Sequence, residues 1–192
     1  MRVSREQVAE NRRRILEVAS ELFRERGFDA VTVADVMSAA GLTHGGFYGY
    51  FKSKEDLIAQ TLAELVKGED RPELDMLGYA ARYLSTRHRD QCATGCPVAA
   101  LGAEAARQAP EVRAALGGSV GRQVARFAAG MKDMQGVTPE AARRAAIGGW
   151  SAMVGAVILS RLSDDPAISE EVLRETLAWI DEHAPHGDAA GA

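Results

Sequence analysis

Aromatic residues are scarce, 6% of 192, and cysteine occurs only twice, at Cys92 and Cys96. Two thiols cannot form the disulfide framework that staples small secreted domains, so both are expected reduced. Long hydrophobic runs are also missing. The longest uncharged stretch, Ala145 to Ser160, falls short of the roughly 20 residues that span a bilayer and is interrupted by Gly148, Gly149 and Gly155. The charged start, MRVSREQVAENRRR, has no apolar segment behind it, so no export signal is expected and the protein is expected to be soluble and cytoplasmic, without a membrane partner. Stretches alternating with period two are few, which argues against strands. No repeat recurs at a fixed period. Neither sign of charge dominates, since 23 Lys and Arg stand against 27 Asp and Glu, a formal net charge of −4.

The hydrophobic content is 46%, well above that of a disordered chain. A chain of this length buries roughly 70% of its unfolded surface and needs no metal to hold a core. Apolar residues recur every three and four positions almost throughout, the signature of helices packed by one face, so the expected fold class is all-α. Ile15, Leu16, Ala19, Leu22 and Phe23 share a face of a first helix that ends at Gly27, a natural left-handed cap. Thr32 can cap a second, with Asp35 in its positive first turn, and Gly41 stops it. A short third helix is expected from about His44 to Tyr50, capped by Thr43. Ser53 can cap a fourth, which carries Leu57, Ile58, Thr61, Leu62, Leu65 and Val66 inward and closes at Gly68.

The segment Gly68-Glu69-Asp70-Arg71-Pro72 punctuates the chain and places the expected domain boundary between residues 67 and 68. Five more helices are expected at about 73–90, 97–108, 111–133, 139–162 and 170–183, making about nine. Pro97 and Pro139 suit first turns, where the N–H that proline lacks has no partner anyway. Residues 1–67 hold 10 basic and 10 acidic side chains, whereas 68–192 hold 13 and 17, so the N-terminal part is the relatively basic one. Its cations cluster at Arg2, Arg5 and Arg12 to Arg14, and at Lys52 and Lys54.

The informative stretch is Thr32 to Lys54, TVADVMSAAGLTHGGFYGYFKSK. Helix, a turn containing Gly41, then a short second helix is the helix-turn-helix pattern, with Val33, Val36, Met37 and Ala40 packing and Leu42 plugging the turn. Gly45, Gly46 and Gly49 would each cost about 1 kcal/mol relative to alanine inside a helix. A benefit other than packing is therefore expected. Removing side chains lets a backbone approach another surface closely, and a DNA major groove is such a surface. Thr43, His44, Tyr48, Tyr50, Lys52 and Lys54 remain to reach phosphates and base edges.

Arg14-Ile15-Leu16, Leu22-Phe23, Gly27-Phe28, Thr32-Val33, Ala34-Asp35-Val36 and Ala39-Ala40-Gly41-Leu42 lead into the run Gly46-Phe47-Tyr48-Gly49-Tyr50-Phe51-Lys52-Ser53-Lys54-Glu55-Asp56-Leu57. These residues resemble the tetracycline-repressor-type (TetR/AcrR) transcriptional regulators. The resemblance implies a homodimer of all-helical subunits, each with a three-helix DNA-binding head, a connecting helix and an effector-binding helical-bundle body. It implies DNA contacts from Thr32, Thr43, His44, Gly45, Phe47, Tyr48, Tyr50, Lys52 and Lys54. Among these, His44 and Gly45 would face bases, while Thr32, Thr43, Tyr48 and Lys54 would face the backbone. Gly49 and Tyr50 depart from the bulkier polar residues, commonly histidine, that the family often carries there. The Arg12 to Arg14 run would add groove or phosphate contacts. The last two long helices would pair with a partner's, giving a palindromic double-stranded operator.

The stretch Cys92 to Leu101 resembles a cysteine-containing subset of these regulators that includes the repressor of the N-ethylmaleimide reductase operon. Cys96, before Pro97 at a helix start, stands where a dipole favours thiolate. An oxidant or electrophile is therefore one expected signal. A small apolar effector held by Met76, Tyr79, Tyr83, Phe127, Met131 and Trp150 is the other. Gly117-Gly118-Ser119-Val120-Gly121 fits a hydrolase elbow, but that motif needs a preceding strand, and no enzyme is expected. His88, Cys92 and Cys96, spaced by four, would align metal ligands on a helix and keep a metal-responsive regulator as an alternative; Gly95 and Pro97 interrupt that helix. A helical dimer without DNA binding is the remaining alternative, and it leaves the glycines of 45–49 unexplained. No metal or cofactor is expected.

Overall fold

A computed structural model describes residues 4–67 and 75–185, so the expected boundary at Gly68 to Pro72 and the tail beyond Pro185 lie outside the described residues. All regular structure among the described residues is helical. Helix α1, Arg5–Ala30, starts at Ser4, whose Oγ accepts from Gln7 N at 3.1 Å. Its one non-helical residue is Gly27 at φ +79°, which turns Phe28 into the core. Helix α2, Val33–Ala39, opens with a reciprocal cap between Thr32 and Asp35. It closes on Gly41 at φ +68°, with Leu42 N donating to Met37 O and Gly41 N to Ser38 O, the two bonds of a Schellman stop. A 3₁₀ helix follows at His44–Gly49, then α3 at Lys54–Lys67, whose first turn Ser53 caps through Asp56 N at 3.2 Å.

The described residues fall into two compact units that do not follow chain order. One comprises the residues up to Lys67 together with Cys92–Gly118; the other comprises 75–91 and Ser119 onward. Apolar burial explains the first grouping: Leu101, Ala105, Val112 and Leu116 belong to the same cluster as Ile15, Phe23, Val36, Phe47, Phe51 and Leu62. Helices α6, Pro97–Ala105, and the start of α7, Pro110–Gly130, supply those residues.

The second unit is built from α4, Met76–Tyr83, α5, Thr86–Asp90, the rest of α7, and the long pair α8, Pro139–Leu162, and α9, Pro166–His183. The single helix expected over 73–90 is two helices. Leu84 leaves helical geometry, and Ser85 is extended with its Oγ accepting from His88 N at 3.2 Å, so a new cap competes with continuation. The Arg161 guanidinium then donates to the carbonyls of His88 and Arg89, each at 2.9 Å, satisfying the end of α5. Helix α9 begins earlier than expected because Asp165 caps it and Pro166 occupies its first turn. By length and composition α8 is apolar enough to cross a bilayer, yet Ala146, Met153, Ala156 and Val157 are buried within the unit.

Candidate nucleic-acid interface

Phe47 fixes the 3₁₀ helix to the head. Its ring is 1% exposed and lies 5.7 Å from Phe51 in a stacked arrangement, so Phe47 belongs to the core and not to the DNA-facing set in which the sequence placed it. With three residues per turn, burying residue 47 turns Tyr48 outward. Tyr48 is 75% exposed, edge-on to Phe47 at 5.3 Å. Thr43, His44, Gly45, Gly49 and Lys52 are exposed beside it, and Lys54 is half-buried at the start of α3. An added Cβ at Gly45 or Gly49 would meet nothing within 4 Å, and neither glycine has positive φ. The fold itself therefore does not require glycine at either position. Thr43 makes no side-chain cap, contrary to expectation, because its hydroxyl does not reach the amides of the 3₁₀ turn.

Three expected contact residues are held by the protein itself. Thr32 N and Oγ1 both donate to Asp35 Oδ2, at 2.9 and 2.6 Å, so its two donors are engaged within the cap. These hydrogen bonds, from the Thr32 hydroxyl first and its amide second, hold the Asp35 carboxyl below its usual pKa. The Tyr50 hydroxyl accepts from Asn11 Nδ2 at 3.0 Å, tying the recognition segment to α1. Arg12 stands over the Phe51 ring at 5.7 Å and donates to Gln60. Of its neighbours, Arg13 pairs with Glu10 at 2.6 Å, and Arg14 is exposed. Asp56 accepts from Lys52 N at 2.9 Å and from Gln60 at 2.7 Å, which lowers its pKa, with Lys52 and Arg12 charges adding to the effect.

Sequence reasoning missed the restraints on α1 from the later segment. The Arg24 guanidinium donates to Gly95 O at 2.9 Å, and Phe28 N donates to Glu104 Oε2 at 2.7 Å. Gly27 makes the second contact possible, since a Cβ there would lie 2.5 Å from Glu104 Oε1. The glycine was legible as a left-handed cap, but its partner 77 residues away in sequence carried no local signal.

Cys96 is the N-cap residue of α6 and Cys92 opens a 3₁₀ turn at Cys92–Thr94; both are half-buried and neither is in a disulfide. They belong to the first unit, whereas the other expected effector residues belong to the second. There Tyr79 meets Tyr83 at 5.6 Å and Phe127 at 5.1 Å, and Met76, Tyr83, Phe127, Met131 and Trp150 are buried. His88 lies on α5, Cys92 in the 3₁₀ turn and Cys96 at the start of α6, so the single helix face expected of these three is absent. Among the described residues no three His, Cys, Asp or Glu side chains gather to hold a metal ion. Ser119 of the G-x-S-x-G sequence is 2% exposed inside α7, where no strand precedes it. The strained strand-to-helix turn that would expose a nucleophile is replaced by continuous helix.

A capped helix, a glycine-stopped turn and a second short helix presenting polar side chains define a helix-turn-helix module on an all-α chain. Residues 15–61 match the family described as bacterial regulatory proteins, tetR family. Residues 76–175, just over half of the chain, match the C-terminal domain of LmrA/YxaF-like transcriptional regulators. The chain belongs to the TetR/AcrR family of transcriptional regulators. Among its relatives, the HTH-type transcriptional repressor KstR2 of Mycolicibacterium smegmatis is 37% identical over 60 residues, 31% of this chain and 29% of that protein. The probable regulator ArpR of Pseudomonas putida is 33% identical over 92 residues, 44% of each chain. The alignments thus span less than half the length of these relatives. In fold, the chain is similar to reduced NemR of E. coli, with TM-score 0.69, 18% identity and coverage of 94% of this chain and 100% of that one. A TetR regulator of Chloroflexus aurantiacus gives TM-score 0.71 at 21% identity, covering 93% and 98%.

Proposed function

We propose that the protein is a sequence-specific DNA-binding repressor that acts in the cytoplasm as a homodimer on a palindromic operator and is released by a chemical signal. The observation that carries this reading is the bare face of the 3₁₀ helix. Gly45 and Gly49 leave open space that the fold does not use, beside an exposed Tyr48, His44 and Thr43. A duplex edge fits that space, and the side chains around it are donors of the kind that read bases and phosphates. Residues 1–67 act as the DNA-binding module and 68–192 as the effector and dimerisation part. An effector that binds better to an arrangement with misplaced recognition turns weakens operator affinity by linkage. Two recognition turns related by a two-fold axis read half-sites about 34–36 Å apart.

The dimer reading is supported by apolar exposure on the last two helices. Ile147, Ile158 and Leu162 on α8 are 45%, 38% and 72% exposed, and Ile168 on α9 is 48% exposed. Residues 147, 158 and 162 recur at helical spacing on one face, which the unit's own core leaves uncovered.

A redox or electrophile signal is the second reading of the release step, favoured by the half-buried Cys96 at the start of α6, next to Gly95, whose carbonyl accepts from the Arg24 guanidinium. Addition of the Cys96 thiolate across the double bond of a maleimide would wedge a bulky group where Arg24 meets Gly95.

The test starts from duplexes selected from random fragments and measures binding by fluorescence anisotropy across salt. Tyr48→Ala or Lys54→Ala is expected to weaken all sequences by about tenfold, whereas His44→Ala changes base preference more than general affinity. Equal losses on every sequence would contradict that division. In the same assay, a Cys92→Ser/Cys96→Ser protein that is still released by maleimide rejects the cysteine reading.

A further inference from the structure

Asn11 is the first buried residue of α1, 7% exposed and one turn before Ile15 on the stripe that continues through Ala19 and Phe23. Asparagine forms helix less readily than alanine or leucine, and a buried amide costs free energy unless its hydrogen bonds are made. Here they are made, and in one sense only. Asn11 Oδ1 accepts from Gln7 Nε2 at 3.0 Å and from Arg14 Nη2 at 3.4 Å, while Nδ2 donates to the Tyr50 hydroxyl oxygen at 3.0 Å. A guanidinium only donates, so Arg14 fixes which end of the amide is the oxygen and leaves the amide nitrogen for Tyr50. The Tyr50 ring packs against the head core, and its hydroxyl has no protein acceptor among the described residues. The oxygen is engaged on its inner side and the phenolic proton is left over. Tyr50 stands two residues after Tyr48 and two before Lys52, both exposed.

We infer that Asn11 is a positioning residue for DNA binding: its amide occupies the acceptor side of the Tyr50 hydroxyl and so aims the phenolic proton outward, at a phosphate oxygen of the bound duplex. Phosphate oxygens only accept, and a hydrogen bond to a charged acceptor is roughly twice as strong as one between neutral groups. Gln7 and Arg14 hold Asn11 in turn, so the first turns of α1 set the geometry of a residue 39 positions further along the chain. Such a contact fixes where the recognition segment sits on the duplex and carries no base preference of its own. The assignment rests on the operator-binding reading, from which the following titrations separate it.

The test is anisotropy of a selected operator duplex at one fixed salt concentration, with the full chain carrying Tyr50→Phe, Asn11→Ala, both together, or Asn11→Asp. Tyr50→Phe loses only a hydroxyl and is expected to weaken binding about tenfold, the scale of one hydrogen bond to a charged group. Asn11→Ala is expected to lose nearly as much, and the double variant no more than Tyr50→Phe alone, because the two changes remove one contact. Asn11→Asp keeps the bonds from Gln7 and Arg14, so the melting temperature holds, but a carboxylate cannot donate and draws the Tyr50 proton inward. Its affinity is expected to fall at least as far as that of Asn11→Ala, and it adds little when combined with Tyr50→Phe. Duplexes carrying a single uncharged methylphosphonate then locate the phosphate: at one linkage per half-site the wild type loses affinity that Tyr50→Phe and Asn11→Ala do not, a signature that a purely structural asparagine does not give. The proposal is overturned if Tyr50→Phe binds like the wild type, if the losses from Asn11→Ala and Tyr50→Phe add, if Asn11→Asp keeps wild-type affinity, or if every methylphosphonate weakens all the proteins alike. A wild type that takes no duplex sinks the operator reading and this one with it; a wild type and a Tyr50→Phe protein that bind equally sink this one alone.

Discussion

Phe47 and Tyr48 are neighbours in the chain and opposites in environment, 1% and 75% exposed. That contrast sets the recognition surface, because a three-residue turn anchored by one ring must present the next. Gly45 and Gly49 complete the surface by what they omit. Replacing either with leucine places a side chain in open space at ordinary backbone angles, so stability is expected to change by no more than about 0.5 kcal/mol. Operator affinity is expected to fall at least about tenfold, the scale of one lost base contact. Thermal melts together with anisotropy titrations check the pair of outcomes; a matched loss of stability and binding would instead mark the glycines as structural. Thr43, His44, Gly45 and Tyr48 were legible as surface residues from the glycine-rich pattern. The burial of Phe47 and the bond from Asn11 to Tyr50 were not, since both depend on how the recognition segment lies against distant α1 and α3.

Elements in the head are bounded by caps that titrate. Asp35 and Asp56 each accept backbone and side-chain hydrogen bonds that favour the carboxylate, which depresses their folded-state pKa values. A group of that kind adds stability above its unfolded pKa and loses it as the pH falls through the folded value. The contribution is therefore complete above the ordinary aspartate range, about pH 4, and is lost as the pH falls from there through the depressed folded values. Urea melts at pH 7 and pH 3 should show a smaller acid-induced drop in an Asp35→Asn/Asp56→Asn protein than in the wild type. Helix α6 contributes at a different level, because Glu104 receives the Phe28 amide where α1 bends at Gly27. Glu104→Ala leaves that part-buried donor without a protein partner, an expected loss of about 1–3 kcal/mol. Glu104→Gln keeps an acceptor and should recover most of it, as read by chemical denaturation. The caps at Thr32 and Ser53 and the first-turn prolines Pro97 and Pro139 follow from local chemistry and were readable in advance. The break between α4 and α5 at Ser85 was not, because helical periodicity over 73–90 masks a cap that the Arg161 contacts reward.

For the whole molecule, the exposed apolar face of α8 and α9 is the feature with the largest consequence. Ile158→Glu places a charge at its centre, and dimer affinity is expected to fall by about 100-fold or more, as for a buried interface anchor. Analytical ultracentrifugation reads that change, and operator binding should become weaker and lose its dependence on half-site spacing, since a single recognition turn remains. Circular dichroism should be unchanged, because Ile158 lies on the outer face of α8 and outside the buried core of its unit. Helical periodicity, glycine stops and capping residues determined the helical class, the helix-turn-helix and the family by themselves, since each is decided within a few residues of chain. The grouping of Cys92–Gly118 with the N-terminal residues, the Glu104 contact at Gly27 and the burial of Phe47 were decided only by tertiary structure. Each depends on apolar or polar groups far apart in sequence excluding water together, and no local pattern encodes which distant surface a helix will meet.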